Sequence, residues 1–436
     1  MGDTPRSQTI STILQEIAEQ AVRYPDSAFT TLAHKMDVDL LREAYRRVRK
    51  SGAPGVDGVT AQEYAANLEE NLRDLHERLR RGRYKAPPVE RVWLDKEDGR
   101  KRPLGKPTFE DKIVQKAVAM LLEAVYEPEF YAFSHGFRPD HSPHQALLEL
   151  RERCRNMNVG WIAKVDVSGF FDNMPHGPLR EIIKQRVNDG GILRLIGKWL
   201  HAGVLEGATL TYPEKGTPQG GVISPLLANI FLHHVLDEWF VQEIQPRLRG
   251  RCFLIRYGDD FVIGFELEAD ARRVMDVLPK RFGRFGLTIH PEKTKLVSFH
   301  KPPHRDKRDR KNGTFDFLGF THYWAKSRRG YWVIKRKTAR RRLRRAIKAR
   351  WHWCRDHRHQ PLREQYRMLC LKLRGYYQYY GIRGNFRGLE RVYQQVKKAW
   401  WYWLRRRSHK GQVTWEQFTR LRVSYPLPKP RIVHNI

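Results

Sequence analysis

Cys252-Phe-Leu-Ile-Arg-Tyr-Gly-Asp-Asp-Phe-Val-Ile-Gly264 decides how the rest of the chain is read. Two apolar, β-prone runs flank Tyr257-Gly258-Asp259-Asp260, which predicts a hairpin carrying two adjacent carboxylates at its tip. Gly-Asp is ordinary turn chemistry, so a solvated turn is the plain alternative. Adjacent acids between apolar strands carry a cost, because like charges repel and desolvation raises their pKa. A divalent cation would remove that cost.

Working outward, the nearest related pattern is Trp161-Ile-Ala-Lys-Val-Asp-Val-Ser-Gly-Phe-Phe-Asp172, a β-prone run ending at Asp166. An acid at the end of one strand and a pair of acids in a neighbouring hairpin can converge on one point. Hard oxygen ligands on rigid strands suit Mg²⁺, which binds through few protein carboxylates plus waters and substrate phosphates. Two such ions about 3.5–4 Å apart can activate a 3′-hydroxyl and stabilise a leaving pyrophosphate. The chemistry indicated is nucleotidyl transfer.

Asp166-x-x-x-x-Phe171-Asp172, Pro218-Gln219-Gly220 and Tyr257-Gly258-Asp259-Asp260, in this order, resemble the active-site motifs of reverse transcriptases. Arg102-Pro103-Leu104-Gly105, Gly136-Phe137-Arg138-Pro139 and the run from Gly216 to Leu226 bring the likeness closer to the group II intron reverse transcriptase/maturase family. The resemblance runs from about Asp37 to near the C-terminus. It implies an α+β, right-hand polymerase, with fingers and palm built on antiparallel sheet, followed by an α-helical thumb/maturase domain. The expected divisions are a tail over 1–30, an N-terminal extension of the fingers over 31–85, fingers and palm over 86–325, and the thumb/maturase region over 326–436, with no C-terminal endonuclease domain. The resemblance also implies that Asp166, Asp259 and Asp260 are catalytic and that Asp166, Val167, Asp259 and Asp260 hold two Mg²⁺ ions. Lys101, Arg102, Phe170, Phe171 and Gln219 would shape the dNTP site. Phe171 would collide with a ribose 2′-hydroxyl and so select deoxynucleotides; plain packing is the alternative for either phenylalanine. Gly258 stands where the family more often has alanine, and Lys106 where it usually has an aliphatic residue.

Composition agrees with a polyanionic partner. The formal charge of +34 and a pI near 10.2 exceed what solubility needs and point to nucleic acid. Aromatic residues, 11% of the chain, add stacking platforms among the basic groups. Four scattered cysteines, Cys154, Cys252, Cys354 and Cys370, form no CxxC pair and fit a reducing cytoplasm, nucleoid-associated when the protein acts on DNA. There is no signal-peptide core, and the longest apolar run, Ala117 to Val125, is too short to span a bilayer.

Periodicity predicts helices over 40–48, 61–81, 111–125, 144–153, 179–200 with an interruption near Gly190-Gly191, 224–239 and 269–285. Strands are expected over 89–94, 209–212, 287–290 and 296–299, and a basic hairpin presents Arg100, Lys101 and Arg102. Phe315-Asp-Phe-Leu-Gly-Phe-Thr and Tyr331-Trp-Val-Ile are expected to pair as a hairpin. From Lys335 to Arg350, ten of sixteen residues are Lys or Arg, with Leu343, Ile347 and Trp351 at helical spacing. Two further apolar-striped helices would complete a three-helix bundle. Arg138, Arg340, Arg341, Arg344, Arg345 and Lys348 are the candidate nucleic-acid contacts. Either Lys293 or Lys295 could protonate the departing pyrophosphate. His352, Cys354, His357 and His359 read as packed or solvated residues rather than a zinc site. The implied partners are intron RNA, an RNA template/DNA primer duplex and target DNA, with no membrane and no protein partner. Two rival readings are a related reverse transcriptase serving defence or CRISPR adaptation, and an RNA-binding splicing factor with a silent polymerase.

Overall fold

A sparse apolar stripe organises the first helix of the computed structural model, which describes residues 4–95, 101–207, 209–212, 214–217, 220–302, 313–408 and 413–436. In α1 (Thr4–Arg23) Ile10, Ile17 and Ala21 are buried, and the helix packs along α5 (Phe109–Tyr126). The stretch expected as a tail is therefore largely a core helix. Its apolar positions are too widely spaced among polar residues to stand out in the sequence. Helix α2 (Val38–Arg47) starts on Asp37, whose carboxylate accepts the Leu40 N–H at 2.8 Å. The single helix expected over 61–81 is two, α3 (Ala61–Ala66) and α4 (Leu68–Arg80). The Asn71 side-chain amide takes the Tyr64 carbonyl, at 3.0 Å, that a continuous helix would have bonded itself.

A peripheral sheet follows. Strands β1 (Val89–Asp95) and β2 (Lys101–Lys106) pair antiparallel, and β1 runs parallel to β4 (Val204–Glu206), which pairs with β5 (Thr209–Thr211). Lys106 lies opposite Glu90 in this ladder, Nζ to Oε2 2.8 Å, so a cross-strand ion pair takes the place of apolar packing.

The central sheet contains β3 (Trp161–Asp166), β6 (Cys252–Tyr257), β7 (Asp260–Phe265) and β8 (Lys295–Ser298) in the order β6-β7-β3-β8, every pair antiparallel. Around it stand α6 (Pro143–Asn156), the one-turn α7 (Phe170–Asn173), α8 (His176–Arg186), α9 (Gly190–Leu200), α10 (Ser224–Leu232) and α11 (Glu268–Arg284). Both faces of the sheet are covered, which is why its strands read as nearly continuous apolar runs. Val165, Leu254, Phe261 and Ile263 join the large core with α5 and α10, while Ile162, Phe253, Ile255 and Val262 join a second core with α6. Burial on this scale stabilises by roughly 1.5–3 kcal/mol per large side chain. The strand expected over 287–290 is only a bridge between Val167 and Ile289. Helix α10 widens into a π-helical stretch, His233–Ile244, that the sequence pattern did not anticipate.

Strands β9 (Phe315–Phe317), β10 (Phe320–Lys326) and β11 (Trp332–Thr338) form a third sheet in the order β11-β10-β9. The expected hairpin is thus three-stranded, with Leu318 and Gly319 turning the chain at φ +47° and +78°. The basic run remains strand through Thr338 and becomes helix only at α12 (Arg340–Asp356). Helices α13 (Leu362–Tyr380) and α14 (Phe386–Leu404) build a core from Leu369, Leu373, Val392, Val396 and Trp400. A fourth helix, α15 (Trp415–Ser424), completes that core with the fully buried Phe418. Among the described residues no helix is long and apolar enough to cross a membrane.

Asp189 ties the N-terminal segment to this frame. Its carboxylate accepts N–H groups from Leu32 (2.6 Å), Ala33 (2.8 Å), Gly191 (2.7 Å) and Ile192 (3.0 Å). Burial opposes ionisation here, but the four backbone donors outweigh it and hold the pKa below the usual carboxylate value. Asp189→Ala should cost roughly 2–4 kcal/mol in urea unfolding near neutral pH. Because the folded pKa is depressed, this stabilisation is present above about pH 4 and lost as pH falls through the folded value, so the gap between wild type and variant should close in acid.

Candidate active site

Asp166, the last residue of β3, lies directly opposite Asp260, the first residue of β7, and Asp260 in turn lies opposite Tyr257 at the end of β6. Direct opposition in an antiparallel ladder puts Cα atoms about 4.5–5.5 Å apart with side chains on one face. Gly258 and Asp259 form the two-residue turn between β6 and β7, with Gly258 at φ +63° as the first central residue of a type II′ turn requires. Burial is the leading cause that raises the Asp260 pKa; Lys164 opposes the shift, and Asp259 and Asp166 add to it. The side chain is nonetheless 37% exposed, so the carboxyl opens to solvent while the sheet closes it from behind. Lys164 Nζ stands 3.4 Å from Asp260 Oδ1, and Lys293 Nζ stands 3.5 Å from Asp166 Oδ1.

Among the described residues no three His, Cys, Asp or Glu side chains are drawn together tightly enough to hold a metal by themselves. The donor chemistry does fit Mg²⁺, which takes acceptor-only oxygens and keeps waters and substrate phosphates in its shell. The two lysine contacts mark the same place as one that attracts positive charge. Val167 has a buried side chain and a backbone bridge to Ile289, which leaves its main-chain carbonyl as the group that could serve as a ligand.

The turn is braced from behind by groups that the motif reading did not single out. Arg256 and Asp237 are both wholly buried; Arg256 donates from Nε to Oδ1 at 2.8 Å and from Nη2 to Oδ2 at 2.5 Å. Nη1 of Arg256 donates to Asn229 Oδ1 at 2.9 Å and to the Gly258 carbonyl at 3.3 Å. Asn229 then donates from Nδ2 to the Gly136 carbonyl at 2.7 Å. The loop around Gly136 also bonds β6 directly, His135 N to Arg256 O at 2.8 Å and Arg256 N to Phe133 O at 2.9 Å. A Cβ on Gly136 would lie 2.1 Å from the Gly258 nitrogen, so only glycine permits this approach. The available signal was a lone arginine inside the apolar run Phe253-Leu-Ile-Arg256, which demands a buried partner.

Phe170 is buried, and Phe171 is half-buried with its edge toward it, centroids 5.3 Å apart. The Phe171 carbonyl accepts from Thr217 N at 2.8 Å, and Gly216, at φ +92°, fits against Asp172. Gly220 meets the carbonyl of Gly105, so the chain on either side of Gln219 lies against α7 and β2. Gln219 and Arg100 lie outside the described residues, as does the Arg102 side chain; Lys101 is exposed in β2. Arg138 departs from its expected role. Its side chain is 7% exposed and bonds Glu127 and the carbonyls of Tyr131 and Ser134, so it braces its own loop and does not face a nucleic acid. Arg340, Arg341, Arg344, Arg345 and Lys348 are all exposed along α12, whose first turn contains no acid. Of the two candidate lysines, Lys293 reaches the acids, whereas Lys295 pairs in register with Lys164 in the sheet.

The buried ion pair gives a test independent of any activity. Arg256→Met leaves the Asp237 carboxylate buried and unpaired and should cost about 3–5 kcal/mol in denaturant unfolding. Arg256→Met combined with Asp237→Leu should recover much of that loss; a double variant no more stable than the single one would contradict the assigned pairing.

Comparison with known proteins gives the family. The family described as reverse transcriptase (RNA-dependent DNA polymerase) matches residues 94–322, just over half of the chain and all three acids. The group II intron-encoded protein LtrA of Lactococcus lactis subsp. cremoris is 37% identical over 232 residues, 53% of this chain and 38% of that protein. Protein YkfC of Escherichia coli is 32% identical over 311 residues, 64% of this chain and 77% of its own length. A 91 kDa protein in the cob intron of Schizosaccharomyces pombe is 30% identical over 243 residues, 55% of this chain and 30% of that one. The chain thus spans well under half the length of two of these relatives. From the extent of the match, the chain belongs to the reverse transcriptase family and is similar to its group II intron-encoded members.

Proposed function

We propose that this protein is an RNA-directed DNA polymerase that copies an intron RNA, and a maturase that binds that RNA to promote splicing and mobility. The observation that carries the first half is the register Asp166↔Asp260 beside the Gly258-Asp259 turn. In this reading the central sheet is the palm, the β1–β2 hairpin belongs to the fingers, and α12 to α15 form the thumb/maturase region of a right-hand polymerase.

Asp166, Asp259, Asp260 and the Val167 carbonyl would hold two Mg²⁺ ions, with nucleotide phosphates completing the coordination. When bound, the ions lower the pKa of the primer 3′-hydroxyl and neutralise charge on the leaving pyrophosphate. The chain's own residues do the rest. Phe171 packs against the sugar and excludes a 2′-hydroxyl, while Lys101, Arg102 and Gln219 orient triphosphate and base. Lys164 and Lys293 give up their contacts with the acids as the site loads. Lys293, the lysine within reach, then supplies a proton toward the leaving pyrophosphate.

The maturase half is supported by the likeness to group II intron-encoded proteins and by the exposed basic face of α12. A maturase stabilises folded RNA by binding that state preferentially.

Asp259→Ala and Asp260→Ala should each abolish cDNA synthesis in primer extension while RNA affinity stays near the wild-type level; extension at the normal rate by either variant would refute the polymerase assignment. Replacing Arg341 or Arg344 by Ala should weaken RNA binding and lower the slope of log K against log salt by about 0.7–0.9 per lost phosphate contact. An unchanged slope would remove α12 from the interface.

A further inference from the structure

We infer that Phe137 is a specificity-determining residue of the nucleotide site, a positioning residue that sets how closely Phe171 approaches the sugar. The inference rests on the polymerase reading above. Phe137 is 49% exposed, yet its backbone sits in the left-handed region at φ +60°. A bulky side chain rarely adopts that conformation unless its surroundings impose it, and such residues cluster at functional sites.

The surroundings do impose it. The carbonyl of Gly136 is held by Asn229 at 2.7 Å, and Arg138 is pinned by Glu127 and two backbone carbonyls. Both chain neighbours are therefore tied to the interior while the Phe137 ring is turned outward. The ring lies edge-to-face with Phe171, centroids 6.4 Å apart at 79°, and 6.3 Å from the Tyr257 ring. Phe170 meets Phe171 at 5.3 Å and 80°. Phe171 is thus flanked by two aromatic edges, one buried and one at the mouth of the site.

Space for the outer ring comes from a missing side chain. A Cβ on Gly258 would lie 2.7 Å from Cε2 of Phe137. In this chain the Phe137 ring therefore occupies space that a Cβ in the turn would enter. The turn yields room, the ring takes it, and Phe171 loses the freedom to swing aside. Without that support Phe171 could retreat and admit a 2′-hydroxyl.

The test is single-nucleotide primer extension on an RNA template with matched dNTP and rNTP, reading the ratio of kcat/KM values for wild type, Phe137→Ala, Phe137→Tyr, Gly258→Ala and the Phe137→Ala/Gly258→Ala pair. The ratio divides out any general loss of activity. Phe137→Ala should lower the dNTP preference about tenfold, and Phe137→Tyr should keep it. Gly258→Ala should lower the preference in the same sense, and the double variant should lower it no further than Phe137→Ala, as expected of two changes to one contact. A Phe137→Ala ratio equal to wild type, with wild type polymerising dNTPs, would overturn this inference and leave the polymerase reading standing. A wild type that extends with no nucleotide would overturn both.

Discussion

The pairing of Arg256 with Asp237 is the constraint on which the candidate site depends. Two adjacent acids at a hairpin tip tend to splay toward water, since water solvates each charge better than a protein cleft does. Here the residue just before the tip is anchored in the opposite direction, into the core, by a guanidinium with no exposed surface. The same guanidinium reaches the Gly258 carbonyl and, through Asn229, the Gly136 loop. One buried charge pair therefore fixes the strand, the turn and the loop above it. A hydrophobic pair could fill that volume with equal or better stability. It could not hold three backbone segments at set positions, because apolar contact has no direction. The π-helical stretch that contains Asp237 fits the same purpose, since such irregular turns occur mostly where a helix must present a side chain out of its usual register.

Much of this was legible in the sequence, and the reasons differ by element. The acid-bearing strands were readable because the central sheet is covered on both faces, so that Trp161 to Asp166 and Cys252 to Phe265 are apolar runs broken only at meaningful places. Helices α5, α13 and α14 were readable because each buries a wide apolar stripe. Helix α1 was not, because Ile10, Ile17 and Ala21 are a thin stripe that matters only once α5 is beside it. The break at Asn67 depends on where the Asn71 amide points, and no periodicity shows that. Arg138 was misjudged for a related reason. Its place in the Gly136-Phe137-Arg138-Pro139 motif suggested a nucleic-acid contact, but a guanidinium with five donors serves equally well to collect loop carbonyls, and burial decides between the two.

The helical C-terminal part shows how charge and packing can share one element. Helix α12 buries only Cys354 fully, while α13 and α14 supply most of the core around it. Leu343, Ala346, Ile347, Trp351 and Trp353 pack one side of the helix against that core, and Arg350 adds bonds to the carbonyls of Ala346 and Lys372. Its outward face is left almost purely basic. Self-repulsion along that face disfavours the helix in isolation, and a polyanion would relieve it, so binding and helix stability are coupled.

That coupling also bears on the acids. In a chain of net charge +34, a cluster of carboxylates is the exception, and positive side chains stand close to it. Lys164 and Lys293 express this locally, each about 3.5 Å from one acid. Both pairs are open to solvent, and each such contact is worth only about 0.2–1 kcal/mol. The cost of holding the acids together is thereby shared with side chains on flexible stems. A lysine can leave by rotating a flexible stem, whereas a fixed arginine of the Arg256 kind could not. The division of labour follows from that difference: rigid guanidinium beneath the turn sets geometry, and flexible ammonium at its mouth holds charge only as long as nothing better is present.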